Sequence, residues 1–342
     1  MTPERDGGFA DAPLAGGLGG RPEPPNAMDV AVLGPGRIGR QIALVFALGG
    51  CRVRLVDLKP RSVADHRAVF ADARREIARD LTLMAEEEVI ERGQVEVSLA
   101  RIVDHVGVDD LRGVGFVQEA LPELLDLKRA TFERLGEAVD EDAIIASGSS
   151  TISPKHLVAS VKAPERFVAV HWLNPAHIIP LVEVVAGPGT AEATVDRTVK
   201  LLEALGKTPV RCGDSPGFIG PRMQVLLMNE AVRLVEEGVA TPEEVDKAFK
   251  AGMGFRYAAI GIFEFIDWGG VDILHRASGF LTNALNDDRF RAARLVEEKV
   301  AKNELGPKTG RGFFDYAGDK RDTFETAKVR ALLRQMKRSA AP

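Results

Sequence analysis

An apolar run, Asp29-Val30-Ala31-Val32-Leu33, leads straight into Gly34-Pro35-Gly36-Arg37-Ile38-Gly39. That junction limits the fold more than any other stretch of the chain. The run predicts a buried strand and the glycines a tight turn. Positions 40–48 predict a helix and 52–57 a second strand that ends on Asp57. Among 34 glycines a Gly-x-Gly-x-x-Gly triplet alone says little. Its place between strand and helix says much more. The first glycine allows the turn, the second lets backbone approach a pyrophosphate, and the third packs helix on strand, while the helix N-terminus offers N–H groups to phosphates. Asp57 follows about 20 residues on, where a carboxylate accepts the ribose 2′-hydroxyl. It would repel a 2′-phosphate, so NAD is expected rather than NADP, with Lys59 and Arg61 close by.

Composition narrows the class. With 342 residues, 45% hydrophobic and 28% charged, the chain suits two domains with a sizeable core. The net charge is −5 and the signs are interspersed, which argues against nucleic-acid partners and a polybasic membrane anchor. No apolar run approaches the roughly 18 residues of a membrane span. Cys51 and Cys212 make neither a disulfide framework nor a metal spacing, and no two histidines sit at helical ligand spacing, so no metal is expected. A reducing cytoplasm is the expected compartment. Residues 1–27 are rich in Gly, Pro and Ala, begin with early acids and lack a secretory apolar segment. They read as a disordered extension.

Stretches 114–119, 143–147 and 167–171 read as further strands separated by helices, and 62–100 as long polar helices. Alternating strands and helices imply an α/β fold with a doubly wound, mainly parallel sheet. The character changes near Asp214-Ser215-Pro216-Gly217. Beyond it the pattern is helical, with helices expected at 222–238, 241–251 and 272–285. The predicted division is 28–213 for a dinucleotide-binding domain and 214–335 for an all-helical one.

His171 closes the apolar run 167–171, and Glu183 sits inside the next one. A lone charge in an apolar strand costs several kcal/mol unless paired, and an imidazole is the obvious partner. A His held by a carboxylate is a general base for neutral pH. A buried, hydrogen-bonded histidine is the competing reading. Ser150, in Ser147-Gly148-Ser149-Ser150-Thr151, reads by composition as a polar loop capping a short helix. Its place after a strand puts it on the ligand edge of such a sheet. Asn174-Pro175 marks a turn. Asp267 fits either a helix end or a substrate contact. His66, His105, His156, His177 and His275 have no partner legible in the sequence.

Taken in order, these motifs resemble the 3-hydroxyacyl-CoA dehydrogenase family from Met28 to about Tyr316. The match includes Val117-Gln118-Glu119-Ala120, the serine loop, His-x-x-Asn-Pro with Leu-Val-Glu-Val, Ser-Pro-Gly-Phe-Ile and Lys308-Thr309-Gly310-Arg311-Gly312-Phe313-Phe314. The resemblance implies a Rossmann-type domain followed by a helical domain that forms much of a homodimer interface. It also implies a small-molecule partner, an acyl-CoA, with His171 as base, Glu183 orienting it and Ser150 contacting the reacting oxygen. By the same likeness Asn174 would touch substrate and Glu119 would lie near the nicotinamide ribose, while Gly34, Gly36, Arg37, Ile38, Gly39 and Asp57 would hold NAD.

Two departures stand out. Where the family has Asn after Gly-Phe-Ile-x, this chain has Pro221, which carries no side-chain donor and no N–H. Losing such a donor costs on the order of 3 kcal/mol. Gln224, one turn on, is the candidate substitute, and Gln224→Ala would then slow turnover. The stretch 71–81 offers Arg74, Arg75 and Arg79 but no lysine for a CoA nucleotide. Around Arg256 the chain also resembles the branch with gulonate and carnitine dehydrogenases, where Arg256 would meet a carboxylate. A free 3-hydroxy acid is thus the rival substrate. An NAD-binding protein with little activity, as in the related lens crystallins, is the rival of another class.

Overall fold

The computed structural model describes residues 28–339. The expected disordered extension, 1–27, lies outside the described residues. Contacts divide the chain into two units, one running to Leu227 and the other starting at Met228.

The first unit is built on an eight-stranded sheet. Its strands are β1 (Asp29–Leu33), β2 (Arg52–Asp57), β3 (Ile102–Val106), β4 (Phe116–Glu119), β5 (Ile144–Ser147), β6 (Phe167–Trp172), β7 (Leu181–Ala186) and β8 (Thr208–Cys212). Their order is β3-β2-β1-β4-β5-β6-β7-β8. Every pairing is parallel except β6 with β7. The order reverses between β1 and β4, which is the crevice where ligands bind in open α/β sheets. Helices α1 (Arg37–Leu48), α2 (Val63–Glu86), α3 (Gly93–Ala100), α4 (Leu125–Ala138) and α5 (Glu192–Ala204) connect the strands. Alternating strand residues feed two cores. Val30, Val32 and Leu55 pack with Ile42 and Phe46 of α1 and with Phe70 and Ile77 of α2. Ala31, Leu33 and Val117 pack with Phe132 and Leu135 of α4. A sheet buried on both faces explains the continuous apolar strands.

Two strands were not anticipated, and both are sheet edges. In β3 only Ile102 is buried, and β8 carries Pro209 and exposes Thr208 and Arg211. Neither therefore shows an apolar run. The predicted first helix starts three residues early, at Arg37.

Helix α6 (Gly220–Glu236) runs across the division between the units. The sequence break at 214 thus precedes the contact division. The second unit continues with α7 (Pro242–Phe249), a π-helical stretch Lys250–Gly254, α8 (Phe255–Tyr257), α9 (Ile262–Gly269), α10 (Val271–Leu285), α11 (Arg294–Ala301) and α12 (Lys320–Ser339). Asp267, 1% exposed, accepts the backbone N–H groups of Phe313 and Phe314 and the Tyr316 hydroxyl, each at 2.9 Å. A Cβ on Gly312 would collide with that carboxylate. Asp267 is therefore the anchor of the 308–316 segment. Among the described residues no helix is long and apolar enough to cross a membrane.

Candidate active site

A cleft of about 850 Å³ opens at the switch point of the first unit. Gly34, Gly36, Arg37, Ile38, Asp57, Glu123, Gly148 and Ser150 are among its lining residues. Gly34 has φ 104°, and a Cβ there would stand 2.8 Å from the Ala120 carbonyl oxygen. At Gly39 a Cβ would strike the Gly34 carbonyl, whereas Gly36 has open space above it. Two glycines thus serve close packing, and the third leaves backbone bare to the cleft. These features fit a pyrophosphate over the N-terminus of α1. Arg37 is exposed at that lip. Arg40 braces the turn from behind. Its Nε donates to Pro35 O at 2.6 Å, and its other nitrogens pair with Asp72 and Glu76 of α2 at 2.8 Å.

Asp57 ends β2 at the cleft wall and is 2% exposed. Arg61 Nε donates to its Oδ2 at 2.8 Å, and His66 Nδ1 lies 3.1 Å from the same oxygen. Its Oδ1 accepts only a long bond from Lys59 N, at 3.3 Å, among those identified. One oxygen is fixed and the other faces fewer donors, which suits a ribose diol. His66, for which the sequence suggested no partner, has one.

His171 and Glu183 are partners in the β6–β7 register. His171 Nδ1 lies 2.7 Å from Glu183 Oε2, and Ser150 Oγ lies 2.9 Å from His171 Nε2. The other Glu183 oxygen accepts backbone N–H groups from Ile219 at 2.8 Å and Gly220 at 2.7 Å. With Oε1 occupied by two donors, Glu183 acts as acceptor from the Nδ1–H of His171. That fixes the tautomer with a lone pair on Nε2, toward Ser150. Glu183 is fully buried and His171 is 4% exposed. The donors arrive at the start of α6, where helix N–H groups are otherwise unpaired. Pro221 follows at a position where a missing N–H costs nothing. Gln224 is exposed.

Around Ser150 the structure adds residues that the sequence reading passed over. Glu123 Oε1 accepts from Ser149 Oγ, from Thr151 N and Oγ1 at 2.8 Å each, and from Ile152 N at 3.2 Å. Burial alone would raise its carboxyl pKa. Those donors and the Lys128 charge outweigh it and hold the pKa down at about 2. Lys128, 1% exposed, pairs with Glu119 at 2.6 Å and Glu123 at 3.2 Å. Glu119 itself is fully buried. Its oxygens are taken by Lys128, by Leu121 N at 2.7 Å and by Ser147 Oγ at 2.9 Å. Glu119 thus lies behind the cleft wall, whereas Glu123 is part of it. A Pro-Glu pair just past a strand's C-terminal end was the available signal for Glu123.

Asn174 is exposed on the β6–β7 loop and follows its strand into a cis bond with Pro175. Arg256 belongs to the second unit, where its guanidinium stacks 4.1 Å above the Phe265 ring. Three of the four arginines of α2 are paired with acids: Arg74 with Asp104, Arg75 with Asp72 and Arg79 with Asp80. Among the described residues no group of three or more His, Cys, Asp or Glu is placed to hold a metal ion.

A doubly wound sheet, a glycine turn at its switch point and a His–carboxylate pair beside that cleft define an NAD-dependent oxidoreductase. Residues 29–215 match the model for the NAD binding domain of 3-hydroxyacyl-CoA dehydrogenase, and 217–316 match its C-terminal domain. The chain belongs to the 3-hydroxyacyl-CoA dehydrogenase family. It is 34% identical over 306 residues to 5-formyl-3-hydroxy-2-methylpyridine 4-carboxylate 5-dehydrogenase of Mesorhizobium japonicum, covering 89% of this chain and 96% of that one. With the probable 3-hydroxybutyryl-CoA dehydrogenase of Bacillus subtilis it shares 31% over 287 residues, covering 84% and 96%. The crystal structure of a 3-hydroxyacyl-CoA dehydrogenase from Archaeoglobus fulgidus superposes with a TM-score of 0.69 at 28% identity, covering 91% of this chain and 99% of the other.

Proposed function

We propose that the protein interconverts a 3-hydroxyacyl-CoA and the 3-ketoacyl-CoA. The observation that carries the reading is the hydrogen-bonded line Ser150–His171–Glu183 beside the dinucleotide cleft. NAD, when bound, supplies the acceptor for the C3 hydride. His171 Nε2 removes the hydroxyl proton, and Glu183 stabilises the imidazolium that forms. Ser150 Oγ hydrogen-bonds the oxygen as it becomes a carbonyl. In the reducing direction the same proton returns from His171.

A free 3-hydroxy acid is the second reading. It is favoured by the pairing of Arg74, Arg75 and Arg79 with acids, which reduces the charge that the 71–81 stretch offers a CoA phosphate. The near full-length likeness to a pyridine carboxylate dehydrogenase supports it too. On this reading Arg256 receives the carboxylate. NADH oxidation with acetoacetyl-CoA, beside NAD reduction with 3-hydroxybutyrate, L-gulonate and L-carnitine, tests both. Turnover with the thioester alone supports the first reading. Turnover with free acids alone refutes it and makes Arg256→Ala the next variant. NADH binding with no turnover on any of them refutes both.

A further inference from the structure

The turn between β8 and α6, Ser215-Pro216-Gly217-Phe218, holds a conformation that a large side chain rarely adopts. Phe218 has φ 44°, directly after Gly217 at φ 74°, and its N–H donates to Ser215 O at 2.9 Å. Glycine takes that left-handed region freely, whereas a phenylalanine there is an outlier. Such strain persists only where the surroundings fix it, and it gathers at functional sites. The chain leaves the turn with two successive N–H groups, those of Ile219 and Gly220, converging on Glu183 Oε1 at 2.8 and 2.7 Å. The Phe218 ring is 6% exposed and packs on Ala169 and Val185. Those two are register partners, two residues before His171 on β6 and two after Glu183 on β7. Residues two apart on a strand share a face, so the ring abuts the His171–Glu183 pair. Its centroid is 5.7 Å from that of the imidazole, with the planes tilted by 49°.

We infer that Phe218 is a positioning residue for the reaction, gripping the base and its acid at once. Its ring braces the His171 imidazole, and its left-handed backbone presents two N–H groups to Glu183. The hydrogen bonds of His171 act at the edge of the imidazole, Nδ1 to Glu183 and Nε2 to Ser150. Hydrogen bonds tolerate a broad range of angles, so they resist a swing of the ring out of its plane only weakly. A packed aromatic ring at this separation resists it by contact. A glycine at 218 would make the turn without strain and leave the imidazole unbraced. A β-branched residue would supply bulk and reject the turn. Cys212 joins the same cluster, and burial, then the Glu183 charge, pushes its thiol up to about 11. The packing around the ring is therefore uncharged, and Glu183 is the one acid that the turn serves.

The inference rests on the role proposed above for His171, and the experiment keeps the two apart. Phe218→Leu retains an unbranched apolar side chain without the ring, whereas Phe218→Val carries the branched Cβ that the left-handed region rejects. Both would be compared with the parent and His171→Gln for kcat per NADH-titrated site, KM and NADH affinity. Amide exchange at Ile219 and Gly220 and the downfield Nδ1–H proton resonance of His171 would be followed alongside. Phe218→Leu should lower kcat roughly 10-fold and leave exchange at the two amides within about threefold of the parent. Phe218→Val should lower kcat roughly 100-fold and speed exchange at both amides about 10-fold or more. KM and NADH affinity should stay within about threefold in each. The His171 resonance should weaken in the Leu variant and vanish in the Val variant as Nδ1–H meets water. A purely structural role would lower the yield of folded protein but leave kcat per site and the resonance unchanged. Parental kcat in both variants, a loss confined to KM or NADH affinity, or equal kcat and exchange in Leu and Val would each overturn the inference. Normal turnover in His171→Gln would defeat the proposed role of the base itself. Normal turnover in Phe218→Val beside a slow His171→Gln would defeat the inference alone. Exchange and the resonance are read without substrate, so an error about the substrate leaves both intact.

Discussion

His171 and Glu183 face each other directly across the antiparallel β6–β7 pair, with Nδ1 and Oε2 2.7 Å apart. The spacing in sequence is a consequence of strand register, since directly opposed residues bring their side chains within contact range. Two neighbours on a sheet need no loop to find each other, so the base is preorganised by the most rigid part of the fold. Glu183 is secured in turn by Ile219 and Gly220, and these two N–H groups link the sheet to the start of α6. The Pro221 departure falls at that same helix start. It removes a side-chain donor while leaving the backbone donors to Glu183 in place.

Replacing His171 by Gln should lower kcat by roughly 10²–10⁴ and change NADH affinity by no more than a few-fold. The side chain touches Ser150 and Glu183 rather than the glycine turn. Stopped-flow turnover and a fluorescence titration with NADH give the two numbers. A variant with normal turnover would remove His171 from the mechanism.

The parts of the fold that could be read from sequence were those with two buried faces or a strict turn. Strands β1 and β2 and the glycine turn were legible because burial favours apolar residues at Val30 to Leu33 and at Val53, Leu55 and Val56, and because Gly34 and Gly39 tolerate no Cβ. Edge strands β3 and β8 were not, since half their residues face water. Within the site, His171 and Glu183 stood out as polar residues in apolar runs. Lys128, Glu123 and His66 did not, because a charged residue on a helix or loop reads as solvated until its partner is seen. The pairing of Glu119 with Lys128 is likewise visible only once the strand and helix are folded together.

Coenzyme choice should turn on Asp57. Asp57→Ala removes the ribose acceptor and frees Arg61 and His66, which now share its Oδ2. NADH affinity is expected to fall roughly 10- to 100-fold, the loss of about 1.5–3 kcal/mol typical of a charged hydrogen bond. NADPH affinity should rise over the same change, because two donors would face the 2′-phosphate without the opposing carboxylate. Paired titrations with the two coenzymes measure the ratio, and an unaltered ratio would exclude Asp57 from the selection.

Asp267 anchors the second unit by three hydrogen bonds onto one buried carboxylate. Burial first, and then the Asp267 charge, push the Tyr316 hydroxyl well above the usual phenol range, so it remains a donor. Asp267→Asn should cost roughly 2–4 kcal/mol, and Tyr316→Phe about 1–2 kcal/mol, since it deletes one donor of three. Urea denaturation of the variants gives the order. Equal stability of Asp267→Asn and the parent would mean that the closing segment is held by packing alone.

Acid stability offers a separate reading of Glu123. Its carboxyl is depressed in the folded chain to about 2 from an ordinary 4.5. A group lowered in this way contributes stability above its unfolded pKa and loses it as pH falls through the folded value. The contribution should therefore be complete above about pH 5 and fade between 4.5 and 2. A shift of that size corresponds to about 3 kcal/mol in a sealed site. With roughly a third of the side chain open to water, on the order of 1–2 kcal/mol is expected. Denaturation midpoints of the parent and Glu123→Gln, followed from pH 7 downward, should lie apart by a constant gap to about pH 5 and then converge. A gap that persists undiminished to pH 3 would show that the amide fails by shape rather than by charge. The four donors would then be selecting the geometry of the carboxylate and not its ionisation.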